Sequence, residues 1–193
     1  MTSKDTLEHS IIFNQEIYPD TVQELMDRMT QYPIVNLYFS TDGGELDTML
    51  VLIDFLNRRA EQGNVRVYLS SYCSSAGTLL LTDYNGPLYV QPTFRFFYFH
   101  VPDFMSYKFR KVVNEDRLRD LLLAYNETYY DKLKVVGLTK KQIDTIRKGD
   151  ELYIFADELG KLKTTFITDE FEDRALLYKP YDPPIIKKIK YAE

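Results

Sequence analysis

Apolar and polar positions in the first half of the chain fall into two rhythms that take turns. Residues 10–17 (SIIFNQEI) read as a short strand. Pro19 and Asp20 then open a helix, with Val22, Leu25, Met26 and Met29 on one face at helical spacing, and Pro33 stops it. Residues 34–40 (IVNLYFS) are a β-rich run bounded by the turn signal Thr41-Asp42-Gly43-Gly44. Leu46, Met49, Leu50, Ile53 and Leu56 make the next amphipathic helix, which Gly63-Asn64 closes. Residues 65–70 (VRVYLS) read as another short strand. A further helix is expected to begin near Ser74-Ser75 and to carry Leu79, Leu80 and Leu81, and residues 88–90 and 94–99 are again strand-like.

Repeated alternation of strand, small-residue turn and helix predicts an α/β domain of parallel strands with helical crossovers. Functional groups in such sheets collect at the carboxyl ends of the strands, so the turns at 41–45 and 71–77 are expected to lie together there. Beyond residue 106 the pattern changes. Leu118, Leu121, Leu122, Tyr125, Tyr129 and Leu133 sustain one long helical stripe over 106–134. Gly137 breaks it, and Thr139 is placed to cap a short helix through Ile146, ended by Gly149. Residues 151–160 read as an extended piece running into a helix, and 163–171 as a last strand. The organisation expected is one domain over 1–178, followed by a tail over 179–193 that holds Pro183, Pro184 and a lysine-rich end.

Composition narrows the function classes. With 193 residues, 45% hydrophobic and 27% charged, the chain can bury a core. No apolar run approaches the ~20 residues of a membrane span, so no membrane role is expected. MTSKDTLEHS has no apolar h-region, so a secretory signal is not expected and a cytoplasmic location is. The net charge of -5 argues against general nucleic-acid binding, which needs a basic face. One cysteine, Cys73, and two histidines, His9 and His100, leave no disulfide framework and no expected metal site or cofactor. Sixteen tyrosines and twelve phenylalanines, with no tryptophan, indicate an aromatic core and half-buried aromatic surfaces.

Two turns could carry chemistry. In Asp42-Gly43-Gly44-Glu45 paired glycines let the backbone approach another group, and a free N–H could donate to an anion or a peptide; a plain tight turn fits as well. The run Ser70-Ser71-Tyr72-Cys73-Ser74-Ser75-Ala76-Gly77 ends a strand and starts an apolar helix. A serine there can cap the helix, or act as a nucleophile whose alkoxide and neighbouring oxyanion gain from unpaired N–H groups. A nucleophilic serine needs a base. His9 falls in a polar segment before the first strand and is expected to be exposed. His100 ends the aromatic strand, ahead of Val101-Pro102.

In order and spacing these segments resemble the Clp protease proteolytic subunit, the ClpP family of the crotonase-like superfamily. That family reads roughly Asn-Ser-Pro-Gly-Gly, then Ala-Ala-Ser-Met-Gly-Ala with Leu-Leu after it, then Ile-His-Gln-Pro. Here the segments are Phe39-Ser40-Thr41-Asp42-Gly43-Gly44, Cys73-Ser74-Ser75-Ala76-Gly77-Thr78-Leu79-Leu80 and Phe99-His100-Val101-Pro102. The resemblance spans about 10–168. It implies the stacked βα units of that fold, with the long helix as a protruding handle.

It further implies a serine endopeptidase acting on unfolded polypeptide, with Ser75 as nucleophile and His100 as base. Gly44 and Ala76 would supply the oxyanion hole, and Gly43, Glu45 and Val101 would pair with an extended substrate. The third member falls on Glu151 or Asp150, counting back from Tyr153-Ile154-Phe155-Ala156. The resemblance also implies a homo-oligomer, as one heptameric ring or two stacked as a tetradecamer, and an AAA+ unfoldase as partner, with Tyr38 at a docking position. The sequence departs from the pattern at Asp42, where the family has proline, at Cys73-Ser74, where it has alanines, and at Arg58, near a family aromatic. A catalytically inactive ring subunit on the same scaffold is the alternative; a crotonase-type acyl-CoA enzyme is disfavoured, because it would not require Ser75 and His100 at this spacing.

Overall fold

In the computed structural model, residues 8–101 and 115–167 are described. The amino-terminal part of the expected long helix, residue 102, the end of the expected last strand and the 179–193 tail lie outside them.

The first half follows its predicted alternation, with the first strand spanning Glu8–Asn14 instead of 10–17 and Ile17 left to a single bridge with Gly44. Strand β1 (Glu8–Asn14) leads through α1 (Pro19–Thr30) to β2 (Ile34–Thr41), and α2 (Leu46–Glu61) leads to β3 (Val65–Ser74). These strands pair in parallel, β1 with β2 and β2 with β3. Val22, Leu25 and Met29 of α1, with Met49, Leu52, Ile53 and Leu56 of α2, are buried against Val35, Leu37, Phe39, Val67 and Leu69 of the sheet. Each helix thus buries one apolar stripe on a strand face that alternates with period two.

β3 runs four residues past its predicted end. Its first part pairs with β4 (Leu88–Val90) and its last part, Tyr72–Ser74, with β5 (Phe96–Phe99), so one strand serves two branches of the sheet. A shift in register between Phe39 and Thr41 accompanies this, with Thr41 opposite Cys73. The Ser-Ser run looks like a turn because it lacks branched residues, yet its carbonyls are taken. Ser71 accepts from the Arg95 amide at 2.7 Å, and Ser70 from the Thr93 hydroxyl.

A 3-10 turn (Ser75–Thr78) and a short α3 (Leu79–Asp83) follow β3, in place of the single helix expected. The long stripe forms α4 (Glu115–Val136), whose Tyr129, Tyr130, Leu133 and Val136 are buried. Thr139 caps α5 (Lys140–Arg147) as expected, accepting from the Gln142 amide at 3.3 Å. β6 (Leu152–Phe155) pairs antiparallel with β5 and runs into a 3-10 turn (Ala156–Lys161) rather than an α-helix. β7 (Phe166–Ile167) pairs with β4. Among the described residues the sheet order is β1-β2-β3-β4-β7, with β5 on the far end of β3 and β6 beyond β5. No described helix is long and apolar enough to cross a membrane.

Candidate active site

The two small-residue turns meet at the carboxyl ends of β2 and β3. Thr41 and Cys73 are paired there, and both are buried. A Cβ added to Gly43 would lie 2.6 Å from Ser75 Cβ and 3.2 Å from its Oγ, so glycine is what lets the first turn lie against the serine. Gly77 is held as closely from the other side, since a Cβ there would meet Thr41 Cγ2 at 2.5 Å.

Ser75 opens the 3-10 turn with φ 50°, the one positive value outside glycine among the described residues. Such a backbone costs on the order of 1–3 kcal/mol and persists only where its surroundings determine it. The Thr78 hydroxyl donates to the Ser75 carbonyl at 2.7 Å and is within 2.9 Å of the buried Tyr129 hydroxyl, which ties the turn to α4. The result turns Ser75 Oγ toward His100, whose Nε2 lies 2.7 Å away.

His100 follows β5, which pairs with β3 through Tyr98 opposite Ser74. Its Nδ1 is 2.8 Å from the Val101 carbonyl oxygen. A carbonyl only accepts, so Nδ1 carries the hydrogen, and Nε2 is left with a lone pair for the Ser75 proton. Serine and histidine are thus in the tautomer and order that proton abstraction needs.

Gly44 lies beside Ile17. The Ile17 amide donates to Gly43 O at 2.7 Å, and the Glu45 amide donates to Ile17 O at 2.9 Å. Gly43 O and the Gly44 N–H belong to one trans peptide and so point in opposite directions. Gly43 O and Glu45 N face Ile17, and the Gly44 amide therefore faces away, with no acceptor among the described residues. The Ala76 amide falls in the first turn of the 3-10 segment, where no intrahelical acceptor exists. Glu45 is otherwise engaged: its amide serves Ile17, and its carboxylate accepts from Thr48 at 2.9 Å.

The two carboxylates expected near His100 sit differently. Asp150 is exposed in the turn after α5, its amide donating to Thr145 O at 3.2 Å. Glu151 immediately precedes β6 and accepts the Tyr98 hydroxyl at 2.9 Å and the Tyr153 hydroxyl at 3.4 Å. Burial, and then the bond to Glu151, push the Tyr98 phenol up to about 12. Sequence reasoning missed Tyr98 and Tyr153 as neighbours of the site; their alternation with His100 and Glu151 was the available signal.

His9 is not the exposed residue of a leading segment that was expected. It lies in β1, half-buried, its ring stacked on Tyr32 at 3.6 Å, at the amino end of the sheet and so at the wrong end to serve Ser75. Burial raises the Cys73 thiol far above its usual range, which keeps it protonated beside the site. Among the described residues no three His, Cys, Asp or Glu side chains group as metal ligands. Tyr38 stacks on Tyr68 at 4.9 Å, and Tyr68 meets Tyr89 at 4.8 Å, forming an aromatic row across β2, β3 and β4.

No family model matches the chain, and no curated protein matches it. Among solved structures 354 chains do. One is a mutant of ClpP1 from Listeria monocytogenes, 15% identical, covering 83% of this chain and 92% of that one with a TM-score of 0.54. The chain therefore has a mixed α/β fold of the ClpP kind.

Proposed function

We propose that the chain is a ClpP-like serine endopeptidase that hydrolyses peptide bonds of unfolded polypeptides inside an oligomeric ring. The observation that carries this reading is the 2.7 Å approach of Ser75 Oγ to His100 Nε2, with the His100 tautomer set by the Val101 carbonyl. Ser75 Oγ attacks the scissile carbonyl carbon while His100 Nε2 takes its proton. The Gly44 and Ala76 amides receive the oxyanion, each worth ~3 kcal/mol in the transition state. His100 then returns the proton to the leaving amine as the C–N bond breaks, and water hydrolyses the acyl-enzyme by the same route in reverse. The backbone beside Gly44 and at Val101 adds a substrate as an extended strand.

In this reading residues 1–178 form one domain, α4 is the handle of a cytoplasmic homo-oligomer built of heptameric rings, and the Tyr38–Tyr68–Tyr89 row is the ledge for an AAA+ unfoldase. A second reading, an inactive ring subunit, is favoured by one observation: Glu151 is bonded to tyrosines and not to His100. Labelling with a fluorophosphonate probe separates the two. Ser75 of the assembled protein is expected to be modified, with labelling abolished in Ser75→Ala and reduced at least 100-fold in His100→Ala, since serine alone is a weak nucleophile. A wild type no more reactive than Ser75→Ala sinks the peptidase and leaves the inactive subunit.

A further inference from the structure

The carboxylate that strand register brings to His100 is engaged elsewhere. In the pair of β5 and β6, Tyr98 faces Tyr153 and Phe99 faces Leu152. One further step along that register sets His100 opposite Glu151. Residues two apart on a strand share a face, so Tyr98, His100, Glu151 and Tyr153 project from one side. Ring contacts agree with this, Tyr98 lying 5.6 Å from His100 and 4.9 Å from Tyr153 between centroids. Directly opposite residues have Cβ atoms about 4.5–5.5 Å apart and diagonal ones about 7–8 Å, so a glutamate can serve either. Glu151 takes the diagonal: Oε1 accepts from Tyr98 and Oε2 from Tyr153. His100 Nδ1 meanwhile settles on the carbonyl of its own neighbour.

We infer that Tyr98 and Tyr153 are positioning residues that hold the Glu151 carboxylate off His100, so that the site rests as a serine–histidine pair and gains its carboxylate only when the phenols release it. The inference rests on the reading of Ser75 and His100 as nucleophile and base. Its physical basis is a competition for one acceptor. A phenol bonds a carboxylate as a neutral donor, whereas imidazolium would bond it as a charged one and add the Coulomb attraction of two opposite charges. In the resting site His100 is the acceptor of the Ser75 proton, and the two phenols hold Glu151. Once His100 takes that proton, Glu151 gains more by turning to it. The phenols thus withhold a stabilising partner from the ground state, at a cost in rate that their removal recovers.

The test uses the full-length assembled protein with Tyr98→Phe and Tyr153→Phe combined, which deletes both hydroxyls and leaves the rings to pack. Two readouts are taken: the fluorophosphonate labelling rate of Ser75, and the proton resonance of the His100 Nδ1–H, assigned by its absence in His100→Ala. The double variant is expected to label roughly two- to tenfold faster than wild type, the range of one modest hydrogen bond. Its Nδ1 proton is expected to move downfield as the acceptor changes from carbonyl to carboxylate. Adding Glu151→Gln is expected to return both readouts to wild-type values. An unmoved resonance overturns the inference whatever the labelling does. A moved resonance in a protein whose wild type labels at Ser75, with the double variant labelled no faster than that wild type, also overturns it, because the carboxylate then adds nothing to the reaction. Absence of Ser75 labelling in every protein, wild type included, with the resonance moved as expected, overturns the peptidase reading instead and leaves the carboxylate exchange standing.

Discussion

Ser75 holds a backbone conformation that an L residue rarely adopts, and its neighbours make that conformation the one available. Gly43 is the most exacting of them, with φ 110° and an added Cβ 2.6 Å from that of Ser75. Gly43→Ala is therefore expected to push Ser75 from His100, lowering labelling more than tenfold and stability by roughly 1–3 kcal/mol. Gly63 is the control: its φ is 71°, but a Cβ there meets nothing within 4 Å. Gly63→Ala should cost about 1–2 kcal/mol of backbone strain and leave labelling unchanged. Paired labelling and thermal-melting measurements check this, and equal labelling losses in the two variants would mean that Gly43 acts only through stability. The glycine pair and the serine run were each legible as turns in the sequence. That they would lie together at the carboxyl ends of the strands was legible too; the close fit of Gly43 on Ser75 was not, because it depends on the pairing of Thr41 with Cys73, which only the folded sheet makes. Glu151 was legible as a carboxylate near the base for the same reason that its true partners were missed. Counting back from Ala156 places a residue along a strand, but it cannot say which of two cross-strand neighbours a flexible side chain will choose.

Elements were read well where their signals are local. The Thr139 cap, the Pro19 start and the apolar faces of α1 and α2 need only neighbouring residues, and each appears as expected. The ends of β3 and the form of the helix after it depend on distant partners. Ser70 and Ser71 stay in the strand because Arg95 and Thr93, from the far side of β4, take their carbonyls. The 3-10 turn is likewise set by α4, through Thr78 and Tyr129. Thr78 donates its one hydroxyl hydrogen to Ser75 O, so Tyr129 is the donor to Thr78 Oγ1. This direction predicts an asymmetry. Tyr129→Phe removes a donor and leaves Thr78 still bonded, at a cost of about 1 kcal/mol. Thr78→Val strands the fully buried Tyr129 hydroxyl and frees the Ser75 carbonyl, at a cost of roughly 2–3 kcal/mol, with a several-fold drop in Ser75 labelling. Urea unfolding of both variants measures the difference, and a Tyr129→Phe cost equal to or above that of Thr78→Val would reverse the assigned donor.

Over the whole molecule, the alternation of strands and helices announced the parallel part of the sheet, whereas the antiparallel pairing of β5 with β6 joins segments far apart in sequence and left no local mark. The aromatic richness was legible too, and it has a consequence at alkaline pH. Tyr84 is pushed up to about 12 by burial, and burial raises Tyr125 and Tyr129 further, with the nearby Asp83 charge adding to both. An unfolded phenol ionises near pH 10. Above that pH the unfolded chain sheds protons that the folded chain keeps, so unfolding gains with every rise. The stability these phenols contribute is thus fully present below about pH 10 and lost as pH climbs toward their folded values, at about 1.4 kcal/mol per pH unit for each phenol still protonated. The urea midpoint should stay level up to roughly pH 9.5 and fall steeply beyond, with the tyrosinate absorbance of the buried phenols, the last to ionise, appearing in step with unfolding. Tyr129→Phe should lessen the slope by one phenol. Ionisation of all the tyrosines well before the midpoint moves would show that α4 and the turn beneath Ser75 open to water without unfolding, and the rigid support assigned to the nucleophile would fail with it.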